Sequence, residues 1–308
     1  MRRDQKNWEP QFICFILLSF LLFSGCSVRQ VAVNQMGNAL AGGGTVFSAD
    51  DDPELIRDAT PFSLKLMESV LSETPEHLGL LEALASGFTQ YAYAFLQLEA
   101  DYIEDDDYDA AVAMRERAIN LYKRARDYGL RGLEVEHSGF AALLRSDPQA
   151  AVSTLSADDV PLAYWTGAGW AAAVALSLDD PQLVGELGIA EALMEACLRL
   201  DPDWDFGSVR SFFITYEMSR LNGQGDPVAE ATKHFSQAKA LSGGKLASVY
   251  VTYAEAVAVE QQDKELFASL LNQALSIDVD SRPEWRLLNL IYQKRAEWLL
   301  GRLDWLFL

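Results

Sequence analysis

The sequence predicts an all-α protein, one compact domain of packed helical hairpins. Three observations carry that prediction. Apolar residues recur at alternating spacings of three and four along most of the chain. Proline follows Asp or Thr at seven places that read as helix starts. No run alternates apolar and polar residues with the period of two that a half-buried strand requires.

The N-terminus is an address rather than part of the fold. Arg2, Arg3 and Lys6 precede an apolar run, Phe12–Phe23, and then Ser24, Gly25 and Cys26. A basic region, a short apolar region and small residues at the end make a secretory signal. The Phe-Ser-Gly-Cys end resembles a bacterial lipobox, which implies acylation at Cys26. Phe23 stands where such signals usually carry Leu, so ordinary cleavage near Gly25 and an uncleaved anchor are the competing readings. Ser27 after the cysteine favours the outer membrane. Residues 1–25 are then the lipoprotein signal peptide, 26–50 a tether and N-terminal segment, and 51–308 the helical domain. Val28–Thr45 carries one charge, Arg29, and four glycines, as a tether does.

Repeated Asp-Pro and Thr-Pro pairs punctuate the rest. The acid or hydroxyl accepts from free N–H groups at a helix start, and proline fits the first turn because its missing N–H has no partner there. The pairs begin at Asp52, Thr60, Thr74, Asp147, Asp180, Asp201 and Asp226. Between Thr74 and Glu99 two apolar stripes run side by side: Leu78, Leu81, Ala85, Phe88, Ala92 and Phe95, then Leu80, Leu84, Gly87, Tyr91, Ala94 and Leu98. A helix apolar on two faces belongs at the centre of the fold. Ala111, Met114, Ala118, Leu121, Ala125 and Tyr128 mark the next helix. Its other face carries Arg115, Arg117, Lys123, Arg124 and Arg126, either as bases for a ligand or as a solvated face. Val160–Leu178 is uncharged but rich in Gly and Ala and bracketed by Asp, so it reads as a tightly packed buried helix rather than a membrane span. Cys197 lies on the stripe Leu183, Leu187, Ala190, Met194, Cys197, Leu200 and reads as a buried structural thiol. Further helices fit Val228–Leu241, Leu246–Glu260, Leu266–Leu275 and Trp285–Leu303. Helix pairs close near Leu200, Leu241 and Ile277. These steps, of about 40 and 36 residues, suggest tetratricopeptide-like repeats with a concave face, with a generic helical bundle as the alternative.

Composition excludes more than it assigns. The 308 residues carry a formal charge of -20, which repels nucleic acid. The three cysteines form no CxxC pair, and HExxH and GxSxG spacings are absent, so no enzyme chemistry and no cofactor is expected. Asp105, Asp107, Asp109 and Glu116 fall on calcium-loop spacing. Ala110 occupies the position that needs glycine, and acids at a helix start have a simpler electrostatic role. Whether that cluster binds a cation stays open.

Two aromatic-polar clusters remain. One is Thr89-Gln90-Tyr91-Ala92-Tyr93-Ala94-Phe95 and the other holds Tyr164, Trp165 and Trp170. Rings with polar tips suit a ligand cavity or partner surface, and equally suit core packing. The candidate ligand- or partner-binding residues are Gln90, Tyr91, Tyr93, Trp165 and Trp170.

Gly43-Gly44, Phe47, Asp50-Asp51-Asp52-Pro53-Glu54-Leu55, Arg57-Asp58-Ala59, Pro61-Phe62, Ser86-Gly87-Phe88-Thr89-Gln90-Tyr91-Ala92 and Glu99-Ala100-Asp101 occur in that order. Tyr164-Trp165-Thr166-Gly167 and Phe212-Phe213-Ile214-Thr215-Tyr216 follow. This series resembles the T-component lipoproteins of tripartite ATP-independent periplasmic (TRAP) transporters. The resemblance implies a periplasmic lipoprotein of tetratricopeptide-like helices, anchored to the membrane by lipid and assembled as a homotrimer. It would dock the transporter's substrate-binding protein and help pass a small organic ligand, and it brings no catalytic residues. The competing class is a helical scaffold lipoprotein in outer-membrane assembly.

Overall fold

The computed structural model describes residues 30–220 and 225–307. Cys26 and the signal therefore lie outside the described residues. Helix α1 spans 30–41, followed by α2 (Gly44–Ser48), α3 (Pro53–Glu73) and α4 (Leu78–Ala92). Helix α4 passes through a π turn, Tyr93–Gln97, into α5 (Leu98–Ile103). Then come α6 (Tyr108–Glu136), α7 (Phe140–Ser146), α8 (Pro148–Val152), α9 (Val160–Ala175), α10 (Pro181–Val184) and α11 (Leu187–Leu200). The second half holds α12 (Trp204–Ser219), α13 (Pro227–Leu241), α14 (Ala247–Tyr253) with a second π turn at Ala254–Ala258, α15 (Lys264–Leu275), α16 (Arg286–Leu300) and α17 (Leu303–Leu306). Among the described residues there is no strand. The fold is all-α.

Helices pack against their successors. Helix α6 lies on α4 and α5, α9 on α6 and α11 on α9; beyond them α13 lies on α12, α15 on α14 and α16 on α15. Two cores result. The first runs from Leu64 to Tyr216 and the second from Ile214 to Phe307. Helix α12 serves both, giving Phe213 and Tyr216 to one and Ile214 to the other.

Helix α4 is central, as its double stripe predicts. Leu80, Leu81, Leu84 and Ala85 are fully buried, and Phe88 stacks on Tyr128 with centroids 6.0 Å apart. The small residues of α9 have a direct packing reason. A Cβ on Gly129 of α6 would lie 2.0 Å from Thr166 Oγ1, so only glycine allows α6 and α9 to approach this closely. Gly169 has less strict surroundings, a Cβ there lying 3.1 Å from Thr89 Oγ1 and 3.3 Å from the Tyr122 carbonyl. Among the described residues no helix is long and apolar enough to cross a membrane. Cys197 is fully buried, and burial pushes its thiol up to about 12.

Four of the seven proline pairs start helices. Asp52, Asp147, Asp180 and Asp226 each accept from backbone N–H groups of the first turn at 3.0–3.4 Å, a contact worth about 1 kcal/mol. The other three do not. Pro61 sits inside α3, where the hydroxyl of Thr60 bonds back to the Ile56 carbonyl at 2.6 Å. Thr74-Pro75 and Asp201-Pro202 lie in turns ahead of α4 and α12; α4 is capped by the ring of His77, whose Nδ1 accepts from Leu80 N at 3.2 Å.

Within the segment read as tether and N-terminal segment, residues 30–41 are helical. Val33, Leu40 and Ala41 pack on the first core, and Gly37 lies so close to His77 that a Cβ there would be 2.7 Å from Nε2. Low charge and glycine content resemble a linker, but these residues serve a close helix contact.

Candidate functional site

The two π turns face a seam between the two cores. Each inserts one extra residue into a helical turn, which shifts the register and re-aims the side chains that follow. On the first, Tyr93 reaches Tyr292 of α16, with ring centroids 5.8 Å apart and interacting hydroxyls. On the second, Glu255 accepts from Arg295 Nε and Nη2 at 3.1 and 2.8 Å.

A left-handed turn supplies the next wall. Asp205, Phe206 and Gly207 all have positive φ, at 46°, 55° and 96°. Only the last is free of the steric cost, about 1–2 kcal/mol for each of the others. The turn sets Trp204 against Tyr164 at 4.6 Å and Trp165 at 6.4 Å, while Tyr164 and Trp165 meet edge to face at 5.0 Å. Phe206, on the turn itself, packs edge-on to Trp285 at 4.9 Å. Asp205 Oδ2 accepts from Ser208 Oγ at 2.6 Å.

The electrostatics describe polar groups held largely away from solvent. Burial pushes the phenols of Tyr93 and Tyr164 well up and that of Tyr292 up to about 12, yet all three keep some solvent exposure. Glu255 retains 30% side-chain exposure and Asp205 is exposed, yet burial raises both carboxyls. These groups touch solvent but are desolvated on most sides, as expected of residues in a recess between packed helices. Arg295 Nη1 is enclosed without a hydrogen-bond partner among the described residues, its guanidinium lying 4.4 Å over the ring of Trp298.

Salt bridges close one side. Lys294 pairs with Glu99 at 2.6 Å, Arg295 with Asp101 at 3.1 Å, and Arg302 with Asp105. Asp107 caps α6 through Ala110 N at 3.0 Å. Two of the acids on calcium-loop spacing are thus engaged in pairing and capping.

The sequence candidates divide. Tyr93 and Trp165 lie on the seam. Tyr91 is buried and packs on Phe95 with centroids 5.5 Å apart. Gln90 is exposed, whereas Gln97 accepts from Tyr122 at 2.7 Å. Trp170 is enclosed in the first core, its Nε1 donating to Glu186 at 2.9 Å and Arg126 lying 5.0 Å above its ring, so it lies off the seam. The bases of α6 are mostly occupied elsewhere. Arg115 pairs with Asp101 and Glu104, Arg124 pairs with Glu68 over the ring of Phe88, and Arg117 is exposed. Sequence reasoning missed Trp204, Glu255, Tyr292 and Arg295. A signal existed for Glu255: Tyr253-Ala254-Glu255-Ala256 repeats the pattern of Tyr91-Ala92-Tyr93-Ala94, and both stretches carry a π turn.

A family model for the TRAP transporter T-component matches residues 49–307. The chain belongs to the TRAP transporter T-component family. The match takes in nearly all of the described helices, including both π turns and every residue of the seam. An uncharacterized protein of Treponema pallidum (strain Nichols) is 29% identical over 321 aligned positions, which cover 98% of this chain and 99% of that protein. The T-component family is an auxiliary part of a transporter and not an enzyme family. It implies a periplasmic or membrane-associated protein.

Proposed function

We propose that this T component is a lipid-anchored periplasmic protein that docks the TRAP substrate-binding protein and passes a small organic ligand through the seam. The carrying observation is the group of tyrosines and tryptophans from both cores, Tyr93, Tyr164, Trp165, Trp204 and Tyr292, which stay partly exposed although desolvated. Rings with polar tips form slippery, orienting walls for an amphiphilic molecule. Few fixed cations face the space, so the wall suits weakly charged or largely apolar ligands better than strong anions. Lipidation at Cys26 would hold the protein on a membrane surface facing the periplasm, the outer membrane by the reading of Ser27, and a homotrimer would present three such seams.

The test is capture of the cognate substrate-binding protein from periplasmic extract by the mature chain. Wild type should retain it, and Trp165→Ala should weaken retention at unchanged thermal stability. Retention of outer-membrane assembly factors instead would favour the scaffold reading. For the anchor, Cys26→Ser should release the protein from the membrane fraction and leave its mass without added lipid.

A further inference from the structure

A cavity of about 360 Å³ lies between α11, α12 and α13. The α12 residues that line it, Arg210, Phe213 and Glu217, lie on the face of that helix opposite Ser208, at spacings of three and four that place them on one stripe.

Four cations border this cavity, Arg199, Arg210, Arg220 and Lys233, in a chain whose net charge is -20. Three carboxylates, Glu195, Glu217 and Glu230, share the lining, and two of them are paired with its cations. Lys233 pairs with Glu230 at 3.0 Å and Arg220 with Glu217 at 2.8 Å. Arg210 approaches a carboxylate only at 3.5 Å, that of Asp203, and otherwise donates to Gln237; Arg199 donates to the Val152 carbonyl at 3.4 Å. Arg199 and Arg210 thus bring cationic charge to the cavity without a close carboxylate.

Three buried polar atoms of the lining have no hydrogen-bond partner among the described residues; one, Glu217 Oε2, is held by its ion pair with Arg220, and the other two are the donors Arg210 Nε and His234 Nδ1. His234 is 5% exposed. Leaving a buried donor unmet costs about 1–3 kcal/mol, so such atoms mark a place for an acceptor from outside the chain. His234 is held flat against Phe213, rings 5.3 Å apart, which fixes its nitrogens in place. The local field agrees: besides burial, Arg210 and Lys233 hold the imidazole down at about 4, against a smaller opposite effect of Glu230.

We infer that this cavity is a binding site for a small anion with an oxyanion group, carboxylate or phosphate, held by Arg199, Arg210 and His234. The guanidinium of Arg210 presents Nε–H, and the neutral imidazole presents Nδ1–H in the tautomer that an oxyanion selects. Phe213 and Leu198 offer apolar surface to whatever the group is attached to.

Isothermal titration of the full mature chain, at ionic strength matched with sodium chloride, tests this with inorganic phosphate and with acetate. Saturable binding of either probe, weakened at least tenfold by Arg210→Gln and at least threefold by the surface variant Arg199→Gln, is expected. The stronger of the two probes identifies the head group. Arg199→Gln changes an exposed side chain, so it remains readable if Arg210→Gln fails to fold. Absence of saturable binding of both probes, or unchanged affinity in Arg199→Gln, overturns the site. The seam proposal stands or falls separately, since its test is partner capture by Trp165→Ala.

Discussion

Tyr93 and Tyr292 meet across the seam with their ring centroids 5.8 Å apart, one on a π turn and the other on the closing helix α16. This contact lies where the two cores meet, beside the ion pairs Lys294–Glu99 and Arg295–Asp101. Removing the ring at Tyr292 should widen the recess there without dissolving either core. Tyr292→Ala is expected to raise acrylamide quenching of tryptophan fluorescence. The rise should vanish when Trp165 and Trp204 are both replaced by Phe, because those two indoles line the same space. Equal quenching in wild type and Tyr292→Ala would show that the tyrosine pair does not gate access.

The close approach of α6 and α9 gives a sharper packing test. Gly129→Ala places a methyl 2.0 Å from Thr166 Oγ1, well inside contact distance. The expected loss is about 1–3 kcal/mol, in the range of core overpacking. Thr166 is fully buried and its hydroxyl bonds back to the Leu162 carbonyl at 2.6 Å, so Thr166→Ala removes both the obstruction and a satisfied donor. In a double-mutant cycle by urea denaturation the two changes should couple favourably by about 1 kcal/mol or more. Simple additivity would mean that the helices part easily at this point.

Asp101 carries more of the seam's closure than its neighbours. Its Oδ1 accepts from Arg115 at 2.9 Å and its Oδ2 faces Arg295 at 3.1 Å, so one carboxylate ties α6 and α16 to α5. Asp101→Asn should cost about 1–3 kcal/mol, as expected for charged hydrogen bonds that are partly shielded from water. Asp105→Asn, which breaks the pair with the better-exposed Arg302, should cost less than about 1 kcal/mol. Comparable losses in the two variants, measured as urea midpoints at one ionic strength, would contradict this ranking.

The helices were legible in the sequence because their signals are local. The 3,4 apolar spacing through Leu78–Phe95 marks a helix that buries two faces, and Asp followed by Pro at 52, 147, 180 and 226 marks true starts. The same dipeptide logic failed at Thr60-Pro61, where α3 tolerates the missing N–H and the threonine hydroxyl turns to the Ile56 carbonyl. The site was legible in part for the opposite reason. Tyr93 and Trp165 could be picked out as rings on otherwise small, apolar segments, but their partners Tyr292 and Trp204 lie far along the chain. Trp170 carries the same chemical signature as Trp165 and sits in the core, because position around α9, rather than residue type, decides which ring meets the seam. The π turns share only a Tyr-Ala-x-Ala pattern that composition does not mark, and the left-handed conformation of Asp205 and Phe206 has no compositional mark beyond the glycine that follows them.

His234 makes acid stability a probe of the cavity between α11, α12 and α13. Burial, aided by Arg210 and Lys233, holds its imidazole at about 4, below the ordinary 6.5. Between those values the unfolded chain takes up a proton that the folded chain refuses. Protonation then favours unfolding, so stability falls as pH drops through this window and rises again toward neutrality. A depression of this size corresponds to on the order of 3 kcal/mol once pH lies below both values. Glu217 and Glu195 act in the other direction, since burial raises their carboxyls and their protonated forms stabilise the fold as pH falls. The total curve therefore mixes opposing slopes, and the variant His234→Gln separates them. Subtracting its urea-derived stability from that of wild type at each pH should leave a difference that declines from pH 6.5 toward pH 4. A flat difference would mean that the imidazole titrates alike in both states, and that neither burial nor the nearby cations depress it.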